Sequence, residues 1–130
     1  MVILILAVLG MYMAQVFVPA SFRTALAPDA TTATADHLRG KDNAPELSVM
    51  GARAQRAVDN LKETLPVFLT VAVLLQIQGT TGGLAQAGAI VFLIARVLYM
   101  PAYMLAITGL RTTVWSIGWV GIFLMVLALF

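Results

Sequence analysis

Four long apolar runs, separated by three polar interruptions, set the pattern of the chain. The first, VILILAVLGMYMAQVFVPASF at 2–22, has the length needed to cross ~30 Å of hydrocarbon at ~1.5 Å per residue. The composition then changes abruptly at 27–45 to a Thr, Asp and Ala-rich segment with prolines at both ends, which reads as a solvent-exposed loop. A second run opens with a polar front, ARAQRAVDNLKE, and becomes PVFLTVAVLLQI, too short to span by itself. The polar front must therefore sit at interfacial depth or inside a bundle. After the tight GTTGG turn at 79–83 come a third run with a single internal arginine and, beyond TGLRTT, a fourth. The pattern predicts helices at about 1–26, 46–78, 84–107 and 112–130: one all-α, up-down membrane four-helix bundle in a single domain, 1–130.

Composition narrows the class further. A chain of 130 residues with 61% hydrophobic and only 11% charged residues has too little interior to bury such helices as a soluble domain. The first run lacks a basic leader and a convincing cleavage site, so it is expected to be a retained helix rather than a signal peptide. The net charge of +2 is better explained by topology than by an anionic partner, and nothing signals nucleic acid. Arg23, Arg39, Lys41, Arg53 and Arg56 lie in or beside the first loop and Arg111 in the third, while the second loop has none. Loops one and three are thus expected on the cytoplasmic side and both ends of the chain on the other. The absence of cysteine excludes disulfides, thiolate metal ligands and a protein-borne thiol nucleophile. His37, the only histidine, has no second metal ligand at helical spacing and is read as a surface residue.

The chemistry concentrates on two polar stripes. Arg53, Arg56, Asn60 and Glu63 fall within roughly 80° on a helical wheel, and Arg96, Tyr99 and Tyr103 within about 60°. Charge in a lipid-facing segment is expensive, so both stripes require a reason. By the topology above they open on the same face of the membrane. One explanation is an interhelical network bridged by Glu63 and Arg96. The other is a ligand site, because guanidinium forks suit carboxylates and a buried Glu can hold an ammonium. Triads, glycine-rich phosphate loops and paired carboxylates are absent. Gln15 is expected to bond a neighbouring helix, and Trp115 and Trp119 to anchor the last helix at the interface.

Arg56, Asn60 and Glu63 in RAVDNLKETLPVFL, with ARVLYMPAY at 95–103, resemble the signature of the MAPEG family, the membrane-associated proteins of eicosanoid and glutathione metabolism. The resemblance covers essentially the whole chain and is that of a bacterial-type member. It implies a homotrimer of four-helix subunits in the inner membrane, with a glutathione site opening to the cytoplasm at each subunit interface. Arg56, Asn60 and Glu63 would hold glutathione, the co-substrate, and Arg96, Tyr99 and Tyr103 would complete the pocket from the neighbouring chain. Arg111 would activate the thiol; it follows Tyr103 by one residue more than in leukotriene-forming members, an excess that a loop at Gly109 would absorb. The implied function is a glutathione transferase or peroxidase acting on a hydrophobic electrophile or lipid hydroperoxide that arrives through the membrane lipid. A non-enzymatic adaptor or scaffold with the same fold is the alternative, and no metal is implied.

Overall fold

The computed structural model describes residues 1–24 and 48–130. The loop predicted at 27–45, with His37, Arg39 and Lys41, lies outside the described residues, as do 25–26 and 46–47 of the first two predicted helices. Among the described residues there are four helices: α1 (Val2–Thr24), α2 (Val49–Gln78), α3 (Gly83–Met104) and α4 (Thr108–Leu127). All four are long and apolar enough to cross a membrane, and their outward faces carry bare side chains such as Ile3, Phe17, Ile77, Ile94 and Phe123. That exposure suits a bilayer, where apolar side chains need no protein cover.

Local chemistry sets most of the boundaries. Ser48 accepts a hydrogen bond from the Gly51 amide at 3.0 Å, satisfying one orphan donor at the start of α2. Gly79, at φ 76°, ends that helix in the left-handed conformation a residue without Cβ adopts freely. Two prolines sit near helix ends without ending them: α1 continues past Pro19 and α3 past Pro101. Two predicted ends move. The third helix stops at Met104 rather than 107, and the fourth begins at Thr108 rather than 112. The turn TGLRTT is therefore the first turns of α4, and the connection is Leu105–Ile107 instead. Gly109, expected to loosen the chain, is helical; the backbone adjustment occurs at Ala106, with φ 58°.

The helices pack in two layers of contact along the bundle. Towards the α2–α3 turn, Val8, Phe68, Leu75, Ala85, Ala89, Phe92 and Met125 form a dry core, with Phe68 and Phe92 stacked at 4.5 Å. There α3 and α4 touch backbone to backbone. A Cβ placed on Gly88 would collide with the Gly121 carbonyl oxygen, and one on Gly121 would lie 2.8 Å from the Phe92 amide nitrogen. Small residues permit this approach, the means by which helices associate in lipid. Towards the α3–α4 turn a second cluster, Ala54, Ala57, Val58, Ala95, Tyr99, Met100 and Val114, frames the polar stripes.

Candidate functional site

The stripe on α2 divides according to how deeply each position is drawn into the seam with α3. Asn60 is half-buried and meets Arg96, whereas Arg56 and Glu63 remain exposed. Asp59 and Lys62 turn outward and pair with each other at 3.0 Å, an exposed contact of small energetic worth. Arg53, one turn before Arg56, reaches the other way and donates from Nη1 to the Met104 carbonyl at 3.2 Å.

Arg96 is the largest fully buried side chain among the described residues. Its Nη1 donates to Asn60 Oδ1 at 2.9 Å, and its guanidinium carbon lies 5.3 Å from the Phe92 ring centroid and 5.5 Å from that of Tyr99. The aromatic faces offset part of the cost of removing a cation from water. Nε and Nη2 have no hydrogen-bond partner, an uncommon state for buried donors. They face Gly118 of α4, where an added Cβ would lie 3.5 and 3.6 Å away. The backbone of Arg96 is also held: Gln15 of α1 donates to its carbonyl at 3.0 Å, the interhelical bond expected of Gln15. An ion pair between Arg96 and Glu63, the bridge an interhelical network would use, does not form. Asn60 rather than Glu63 occupies the position facing the guanidinium, and Glu63 stays exposed.

From Arg96 the stripe on α3 continues to the surface. Tyr99 is buried, Tyr103 half-buried, and their rings lie 5.6 Å apart at 57°. The Arg111 guanidinium covers the Tyr103 ring at 4.6 Å. Asn60, Tyr99, Arg111, Thr112 and Trp115 line a cavity of about 240 Å³. Its wall thus combines an amide, a phenol, a guanidinium and an indole, suited to a small molecule with polar and apolar parts.

Of the residues singled out from sequence, Asn60, Arg96, Tyr99, Tyr103 and Arg111 form one connected patch, with Arg96 sealed behind the cavity wall. Arg56 and Glu63 do not reach that cavity within one chain. Trp115, read as an interface anchor, proves to be a wall residue while still meeting Trp119 edge-on at 6.0 Å. The signal was an i, i+4 spacing from Arg111, hidden once Arg111 was assigned to a turn. Arg53 belonged to the α2 stripe, but its partner, a main-chain carbonyl, has no mark in sequence. Among the described residues no cluster of His, Asp or Glu could hold a metal ion.

Comparison with known proteins agrees with this architecture. The family profile described as the MAPEG family matches residues 1–130. No significant match was found among curated proteins or among solved structures. A whole-length family match on four helices of membrane-spanning length, with helix-borne arginines gathered at one end, leads to a single assignment: this chain belongs to the MAPEG family, a family of membrane glutathione-related enzymes.

Proposed function

We propose that the protein is a glutathione-dependent membrane transferase or peroxidase, in which glutathione thiolate attacks a hydrophobic electrophile delivered from the lipid. The observation that carries this reading is Arg111 on the wall of the cavity, braced on Tyr103 and facing a space shared with Asn60 and Tyr99. A thiol of ordinary acidity, pKa about 8.5, is mostly protonated at neutral pH. A guanidinium beside the sulfur favours the anion and keeps stabilising it as attack begins. In the conjugation, the sulfur forms a bond to the electrophilic carbon, the leaving group departs with its electron pair, and the thiol proton passes to water.

The same reading gives the remaining polar residues their tasks. Arg56 presents a fork for a glutathione carboxylate and Glu63 an acceptor for its ammonium. The open cavity on a single chain measures about 240 Å³, less than the roughly 300 Å³ at which small-molecule pockets usually begin. Glutathione would therefore lie between copies of the chain, with Arg56 and Glu63 of one facing Tyr99, Tyr103 and Arg111 of the next, as in a homotrimer. Arg96, having no access to the cavity, orients Asn60 rather than touching the ligand. Trp115 offers an apolar wall to the electrophile at the lipid side. A cytoplasmic opening in a bacterial inner membrane is part of the same proposal, resting on the arginines that gather at this end.

The test is turnover and binding in detergent-solubilised protein. Glutathione should raise the melting temperature, and Glu63→Gln and Arg56→Ala should each remove that rise. With an aryl halide acceptor, Arg111→Ala should lower kcat by about 10²-fold or more, the usual loss on deleting a group that stabilises developing charge. A melting temperature indifferent to glutathione would leave the non-enzymatic adaptor as the better description, a reading supported by the sealed environment of Arg96.

A further inference from the structure

The chain passes from α3 to α4 through only Leu105, Ala106 and Ile107. Two amides close the end of α3, Leu105 donating to the Pro101 carbonyl at 3.0 Å and Ala106 to that of Tyr103 at 3.2 Å. Ala106 does so at φ 58°, where its Cβ crowds the backbone; among the described residues it is the one non-glycine with positive φ. Such a conformation persists only when its surroundings over-determine it. The Met104 carbonyl, two residues earlier, is held from a different helix by Arg53 Nη1 at 3.2 Å. Arg53 is half-buried, its neighbour Ala54 is fully buried, and Met104 itself packs against the second core cluster. The contact is thus anchored on both sides.

So short a connection ties the rotation of α4 to the backbone angles of these three residues. A change of one residue in helix register turns a side chain by about 100°, enough to swing Arg111 off the Tyr103 ring and out of the cavity. We propose that Arg53, through the Met104 carbonyl, and Ala106, through its left-handed turn, are positioning residues that set this rotation and so hold Arg111 at the cavity. The catalytic consequence rests on the glutathione reading; the geometric one does not. Arg53 touches neither the cavity nor Arg111, so its effect travels entirely through the turn.

The experiment uses the full chain in detergent, with Arg53→Met, Arg53→Lys and Ala106→Val, and two measurements. In amide hydrogen exchange, Arg53→Met should speed exchange at 105–111 by about tenfold while 61–75 stay unchanged, since opening is local. In turnover of glutathione with an aryl halide, the same variant should lose about tenfold or more in kcat, as misplacement by ~1 Å does, with KM for glutathione within about twofold. Arg53→Lys, which keeps a donor, should restore both. Ala106→Val, whose branched side chain resists positive φ, should reproduce the Arg53→Met signature and substitutes for it if that variant does not fold. Unchanged exchange at 105–111 in Arg53→Met and Ala106→Val overturns the proposal, as does a rise in KM at constant kcat, which would make Arg53 a ligand contact. If the unmodified protein neither binds nor turns over glutathione, the functional reading fails alone, and the exchange data still decide whether Arg53 sets the turn.

Discussion

The two ends of the bundle are held by different means. At the α2–α3 end, aromatic stacking and the backbone contact of Gly88 with Gly121 make a core of apolar side chains with no room for an added methyl at either glycine. At the α3–α4 end, one amide–guanidinium bond, two side-chain bonds to main-chain carbonyls and several ring contacts accompany two unpartnered nitrogens and a cavity. The dry end can be rigid because packing in lipid rewards close approach alone. The polar end keeps groups whose burial is costly, which makes it the candidate for a chemical task. The comparison teaches where substitutions should act on folding and where on chemistry.

The largest effect is expected from Gly88→Val. Even a Cβ meets the α4 backbone, and a branched side chain must push the helices apart, at roughly 3 kcal/mol or more, the upper end for an overpacked site. Loss of the monodisperse species in size-exclusion chromatography is the expected readout. A stable Gly88→Val protein would mean that the two ends do not differ in the way described. Next comes Asn60→Leu, which strips Arg96 of its hydrogen-bond partner and should cost roughly 1.5–3 kcal/mol, the range for bonds to charged groups. Arg96→Met removes the unpartnered donors along with the bond, so it should cost less in thermal denaturation while still weakening glutathione binding. The reverse order would show that Arg96 finds partners elsewhere. The smallest effect is expected of Gln15→Leu, which should lower stability by about 0.6–1.7 kcal/mol, as measured for interhelical bonds in membranes. Glutathione binding should survive it, since Gln15 holds only the Arg96 backbone.

The sequence by itself determined the class of molecule and where its candidate site lies. Four runs of spanning length admit only helices in lipid, and charge inside them restricts where Asn60, Arg96 and Arg111 can lie. Helical spacing likewise aligned Tyr99 and Tyr103 with Arg96, because periodicity is local and fixed by backbone geometry. Only the tertiary structure decided which partner each polar group takes. Asn60 displaces Glu63 at Arg96, Arg53 turns to a main-chain carbonyl, and Ala106 adopts a conformation for which alanine carries no preference. The same packing starts α4 at Thr108 and so brings Arg111 and Trp115 to one wall. Pattern along the chain specifies the face a residue occupies; the rotation and depth of one helix against another depend on contacts between residues far apart in sequence, such as Gly88 with Gly121, and those are settled when the helices meet.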